Sequence, residues 1–205
     1  VFKNRIEAGR ELAKKLEHLR GEPLVIIAIP RGGLPIGAIL ANSLNAPLDV
    51  ALIKKIGHPF NREFAIGAVS LSGRVLEPQI EANVGYLEAE TTRLRKALLE
   101  RHRLFYRKKQ PVNLKNKVAV VTDDGLATGH TMRATLNLIS DQKPKAIVIA
   151  LPVAPAQSLE ALKAMDYVTE VVCLETPGVF NSVGQFYEDF SAVSDEQALA
   201  IFEEN

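Results

Sequence analysis

The stretch Val118-Ala119-Val120-Val121-Thr122-Asp123-Asp124-Gly125-Leu126-Ala127-Thr128-Gly129-His130-Thr131 decides the fold. It opens on an apolar, β-branched run of strand length, which suits a strand buried on both faces. That run delivers two adjacent acids, Asp123 and Asp124, to the C-terminal end of the strand. In open α/β sheets, ligands bind beyond that end. Adjacent carboxylates repel one another, so the pair needs a polyol, a metal or a cation beside it. The loop that follows carries Gly125, Thr128, Gly129 and Thr131. Small residues let backbone N–H groups point at a phosphate, and the hydroxyls add donors. A helix is predicted from about Thr131 to Ser140, so its positive N-terminal end faces the same spot. Carboxylates for hydroxyls, beside a nest for a phosphate, suit a sugar phosphate.

The same alternation continues outward. Downstream, Ala146 to Leu151 reads as a strand, Ala156 to Met165 as a helix and Val168 to Leu174 as a strand. Upstream, Leu24 to Ile29 reads as a strand that Pro30-Arg31-Gly32-Gly33 interrupts. Pro35 fits the first turn of a helix running to about Leu44. Leu48 to Ile53 reads as the next strand. This order predicts an α/β fold with a parallel sheet flanked by helices. In the first segment, Phe2, Ile6, Ala13, Leu16 and Leu19 can share a helix face, which Gly21 and Pro23 end. Lys54 to Asn83 is less regular, with Gly57, Pro59, Gly67, Gly73 and Pro78. It reads as loop or short hairpin, with a strand at Ile66 to Leu71. From Leu87 the pattern is helical again, through Thr91, Leu94, Leu98 and Phe105. Arg93, Arg95, Lys96, Arg101 and Arg103 fall between. That basic face reads as solvated or as lying near an anionic substrate, with nucleic acid as the competing reading. Ser194-Asp195-Glu196-Gln197 is a capping-box pattern that starts a last short helix.

Composition limits the function classes. The chain has 205 residues, 47% of them apolar and 24% charged, with a net charge of +1. That balance gives no reason to expect nucleic acid or an acidic membrane as a partner. No apolar run approaches the ~20 residues that span a bilayer. Val1 to Arg20 mixes acids and bases and has no secretion-signal core. The single cysteine, Cys173, excludes an internal disulfide and sits in an apolar run as a core residue would. A soluble, cytoplasmic protein is the expectation.

The fourteen-residue stretch closely resembles the PRPP-binding motif of type I phosphoribosyltransferases: an apolar strand, two acids, a short loop, then Thr-Gly-x-Thr. Two positions depart from it. Thr122 stands where the family has an apolar residue, and Gly125 where it has a bulky apolar one. The resemblance implies transfer of 5-phosphoribosyl from PRPP to a nitrogen base with release of pyrophosphate. It implies Mg²⁺ as cofactor, met by Asp123 and Asp124 through water. The same two acids then bind the ribose hydroxyls. Leu126, Ala127, Thr128, Gly129, His130 and Thr131 cradle the 5′-phosphate. Arg31, Gly32 and Lys55 hold pyrophosphate, and the Pro30–Arg31 bond is the candidate for the cis peptide that the family often has there. Gly32 and Gly33 are expected to supply unusual backbone angles and close ligand approach. His58, Asn61 and Arg62 fall where the family keeps a lid.

The resemblance further implies one domain over residues 1–205. A small hood is expected from the N-terminal segment and about 176–205, and a homodimer as the assembly. Phe180, Phe186 and Tyr187 are candidates to stack on a base, with core packing as the alternative for each. Enzymes for 6-oxopurines carry an Asp at the position of Ala127. Alanine cannot move a proton, which argues against hypoxanthine and guanine. A regulatory protein that senses PRPP or a nucleotide on the same fold, without turnover, is the second reading.

Overall fold

The computed structural model describes residues 1–77 and 83–205; Pro78 lies outside them. Five parallel strands form the main sheet: β1 (Leu24–Ala28), β2 (Leu48–Val50), β6 (Val118–Thr122), β7 (Ala146–Val153) and β8 (Glu170–Glu175). Their spatial order is β2-β1-β6-β7-β8, which puts β1 beside β6 in the middle. Every residue of both central strands is buried. Alternation explains why they read as unbroken apolar runs. Leu24, Ile26 and Ala28 face one core, and Val25 and Ile27 face the other.

The first core is closed by α1 (Arg5–Lys15), α2 (Gly33–Leu44) and α6 (Asp195–Glu204). The second is closed by α4 (His130–Ser140) and α5 (Ala156–Lys163). Asn4 caps α1 by accepting from Ile6 N and Glu7 N. Asn45 ends α2 in the left-handed region at φ 51°, a conformation asparagine tolerates. The expected capping box at Ser194 and Gln197 is present and starts α6.

The segment read as loop or short hairpin is a second, antiparallel sheet. Its strands are β3 (Lys54–His58), β4 (Asn61–Val69) and β5 (Arg74–Leu76), in the order β3-β4-β5. Ile56, Ile66 and Val69 pack on Leu87, Leu94 and Leu98 of α3 (Val84–Phe105). The strand expected at Ile66 to Leu71 overlaps β4 from Ile66 to Val69. His58 and Asn61 pair at the hairpin end. The N-terminus is tied to the segment after β8. Phe2 N donates to Phe186 O at 2.7 Å, and Glu188 N to Phe2 O at 2.8 Å. The C-terminal helix, included in the expected hood, instead sinks Ala198 and Phe202 into the main core. Among the described residues no helix is long and apolar enough to cross a membrane.

Candidate functional site

The site sits where β1 and β6 end side by side. Ile29 N donates to Thr122 O at 2.9 Å, so the loop after β1 is held against the acidic pair. The Pro30–Arg31 peptide is cis, as the resemblance implied. The glycines that follow correct one expectation. Gly32 has ordinary helical angles, φ −62° and ψ −33°. What it needs is space: a Cβ there would lie 2.0 Å from Asp124 Oδ2. A Cβ on Gly33 would lie 2.8 Å from Thr122 O. The pair is small because the acids and the β6 backbone press against it.

Asp124 is held by a residue that sequence reasoning missed. Arg5 Nε and Nη2 approach Asp124 Oδ2 at 2.9 and 2.8 Å. Arg5 Nη1 donates to Ser191 O at 2.9 Å, and its guanidinium lies 4.0 Å over the Phe190 ring. Tyr187 Oη donates to Asp124 O at 2.6 Å. Burial pushes the Asp124 carboxyl upward from the usual range, and the Arg5 charge opposes that. Asp123 Oδ1 accepts from Asp124 N at 2.8 Å. Its carboxyl is driven well above the usual range, first by desolvation and then by the charge of Asp124. Enclosed carboxylates resist ionising unless a partner supplies positive charge or donors.

A cavity of about 530 Å³ opens on the loop after β1, and its lining includes Arg31, Lys54, Arg101 and Thr131. Lys55, the expected pyrophosphate ligand, lines a different cavity of about 250 Å³ with His130 and Arg133. Neighbours on a strand point to opposite faces, and β3 begins at Lys54. The structure therefore brings Lys54, not Lys55, to the wall that holds Arg31. Arg101 reaches that wall from the basic helix α3, where the sequence left an anionic neighbour open.

The loop expected to cradle a phosphate divides between the two cavities. Thr131 faces the Arg31 cavity and His130 the second one. Gly129 stands at φ 76° at the cap of α4, a conformation that favours glycine. Leu126 is buried at 4%, and its N–H donates to Val153 O at 2.9 Å, so it anchors the loop. Ser158 Oγ donates to Ala127 O at 2.7 Å. Thr128 is exposed. The departure at Gly125 has a local cause: a Cβ there would lie 2.5 Å from Val183 Cγ1. Thr122 keeps its hydroxyl buried without a partner among the described residues, and nothing in the structure explains that choice.

The three candidate aromatics separate. Phe180 and Phe186 stack on each other, with centroids 5.4 Å apart. Tyr187 packs between Phe2 and Phe190, at 5.5 and 5.0 Å, and is 6% exposed. Its faces and hydroxyl are committed internally, so it has no open face for a base. Cys173 is half-buried, and burial pushes its thiol up.

A metal has a limited set of donors here. No cluster of three or more His, Cys, Asp or Glu occurs among the described residues. Asp123 and Asp124 offer hard oxygens, and one of them is engaged by Arg5. Such a pair fits a hard cation that keeps waters and substrate oxygens, as Mg²⁺ does, rather than an all-protein cage.

An open parallel sheet carries two acids, a Gly-Thr loop and guanidinium groups at the C-terminal ends of its strands, in an α/β architecture. The Phosphoribosyl transferase domain family matches residues 2–190, and the chain belongs to that family. A Mycobacterium tuberculosis protein provisionally named a phosphoribosyl transferase is 37% identical over 99% of this chain. The chain spans about half the length of the curated relatives it matches, 46% of that protein. The crystal structure of TT1426 from Thermus thermophilus superposes with a TM-score of 0.87 at 40% identity, covering 99% of this chain and 98% of that one. A hypothetical protein from Neisseria gonorrhoeae, solved with bound ppGpp, shares the fold at a TM-score of 0.52 and 15% identity, over 84% of this chain and 78% of that one.

Proposed function

We propose that the chain transfers 5-phosphoribosyl from PRPP to a nitrogen nucleophile in the cytoplasm, releasing pyrophosphate. One observation carries this reading. The Asp123–Asp124 pair follows β6 and presses on Gly32 of the loop after β1, and that same loop, the loop of the strand paired with β6, carries Arg31 into the cavity shared with Lys54 and Arg101. Acids for a polyol beside cations for a polyphosphate match the two halves of PRPP.

In this reading the carboxylates of Asp123 and Asp124 accept from the ribose 2′ and 3′ hydroxyls. Their charge also favours the cationic character that develops on the ribosyl ring. The Ala127–Thr131 loop and the start of α4 take the 5′-phosphate. Arg31, with Lys54, stabilises charge on the departing pyrophosphate; a guanidinium presents donors in a fixed fork that fits it. Asp123 and Asp124 would hold Mg²⁺ through water, and a bound ion would neutralise pyrophosphate charge. Ala127 has no proton to give, so the acceptor is one that needs no acid or base at that position. Phe180 and Phe186 are the remaining candidates to flank a base.

A second reading is PRPP or nucleotide sensing without turnover. The Arg5–Asp124 ion pair favours it, because Asp124 is already partly neutralised. A panel of purine and pyrimidine bases with PRPP and Mg²⁺, scored for pyrophosphate release, separates the two. Release with at least one base supports the transferase. PRPP binding with no release on any base supports the sensor.

A further inference from the structure

Two guanidinium groups at the candidate pyrophosphate wall share one carboxylate. Arg31 Nη1 lies 3.6 Å from Asp195 Oδ1, and Arg101 Nη2 lies 3.3 Å from the same oxygen. The three residues come from distant parts of the chain: the loop after β1, the far half of α3, and the first turn of α6. Arg101 is steadied by the Phe105 ring, 5.6 Å from its guanidinium carbon. Among the described residues, the cavity lining includes Arg31, Lys54 and Arg101 and no carboxylate. Asp195 therefore supplies negative charge to this wall from its rim. Its side chain is 63% exposed, so it can turn back into water with little desolvation to regain.

We propose that Arg101 is a second diphosphate-binding guanidinium and that Asp195 is a built-in competitor, holding the arginine pair until a diphosphate displaces it. The proposal rests on the phosphoribosyl reading of the site and adds to it a binding residue and a control on affinity. A diphosphate carries more charge than one carboxylate and can bridge two forked guanidinium groups at once. It therefore outcompetes Asp195, but from a weaker starting point than free arginines would give. Asp195 lies beyond residue 190, where the family match ends. The competitor is thus a feature of the C-terminal helix and couples α6 to the occupancy of the site. Displacement leaves the helix intact, because its start is secured by Ser194 and Gln197.

The test is calorimetric titration of the full chain with inorganic pyrophosphate, at fixed low salt. Asp195→Asn is expected to tighten the dissociation constant by about threefold or more, since a partly exposed charge pair is being released. Arg101→Ala is expected to weaken it by about tenfold, as loss of a charged hydrogen-bond donor does. Arg101→Lys retains part of the affinity, and the gain from Asp195→Asn shrinks when Arg101 is absent. Thermal melts establish that each variant folds. A helper that merely supports α6 would weaken or leave unchanged the binding on mutation, so unchanged or weaker binding in Asp195→Asn overturns the competitor. Unchanged binding in Arg101→Ala overturns the second guanidinium. If Arg31→Ala abolishes binding while both other variants match the parent, this inference fails and the phosphoribosyl reading stands. If the parent binds neither pyrophosphate nor PRPP, the reading itself fails and takes the inference with it.

Discussion

At the scale of single residues, the site is built from charges that the fold alone does not favour. Asp123 is half-buried beside a second acid, and desolvation opposes its ionised form. Replacing it with the neutral isostere removes that cost. Asp123→Asn is expected to melt at or above the parent's temperature without ligand, yet to lose PRPP affinity; functional sites often trade stability this way. A lower melting temperature, checked by calorimetry, would contradict it. Gly32 makes the opposite case. Gly32→Ala puts a methyl where Asp124 Oδ2 now lies, and either the loop or the Arg5 pair must shift. A loss of roughly 1–3 kcal/mol, the usual cost of overpacking, is expected in denaturant unfolding. Neither Arg5 nor Asp195 could be found from the sequence. Arg5 meets its acid 119 residues away, and no local pattern encodes that distance. The preference for Lys54 over Lys55 also needed the strand's facing, which two adjacent lysines do not reveal.

Among the elements, legibility followed burial. The central strands were readable because both faces are buried, which forces an apolar run such as Val118 to Val121. The helix α3 was readable because Leu87, Thr91, Leu94 and Leu98 keep one buried stripe. The small sheet was legible in part: the expected strand at Ile66 overlaps β4, whereas β3 runs from exposed Lys54 and Lys55 to buried Ile56 and shifts register at Gly57, a pattern with no strand signature. The start of α6 was legible from its cap. Ser194→Ala is expected to cost about 1 kcal/mol in unfolding free energy. A second contact gives a pH dependence. His18 Nε2 lies 3.0 Å from Glu170 Oε2, tying the chain after α1 to the edge strand β8. The hydrogen bond to Glu170 raises the His18 pKa from its ordinary value. A raised folded value means the folded state holds the proton more tightly. The stabilisation is fully present below about 6.5, the unfolded value, and is lost as pH rises through the folded one. His18→Gln should therefore lower the melting temperature slightly at pH 5.5 and leave it unchanged at pH 9. An equal difference at both values would refute the coupling. The effect is small because both groups are largely exposed.

For the whole molecule, one sheet edge collects parts that lie far apart in the chain. The first helix supplies Arg5, the loop after β1 supplies Arg31, and α3 supplies Arg101. The segment after β6 supplies the acids, and α6 supplies Asp195. Family membership was legible from fourteen residues because the strand, the two acids and the Gly-Thr loop follow one another in a single uninterrupted run. A base-stacking residue was not legible, because one of the three aromatic candidates, Tyr187, packs its ring between Phe2 and Phe190. The most direct measurement is calorimetric binding of PRPP with Mg²⁺ to the parent chain and to Asp124→Asn, with folding checked by circular dichroism. The account predicts saturable binding by the parent and a loss of about tenfold or more in the variant. Equal binding by a folded Asp124→Asn would contradict a phosphoribosyl site at the end of β6.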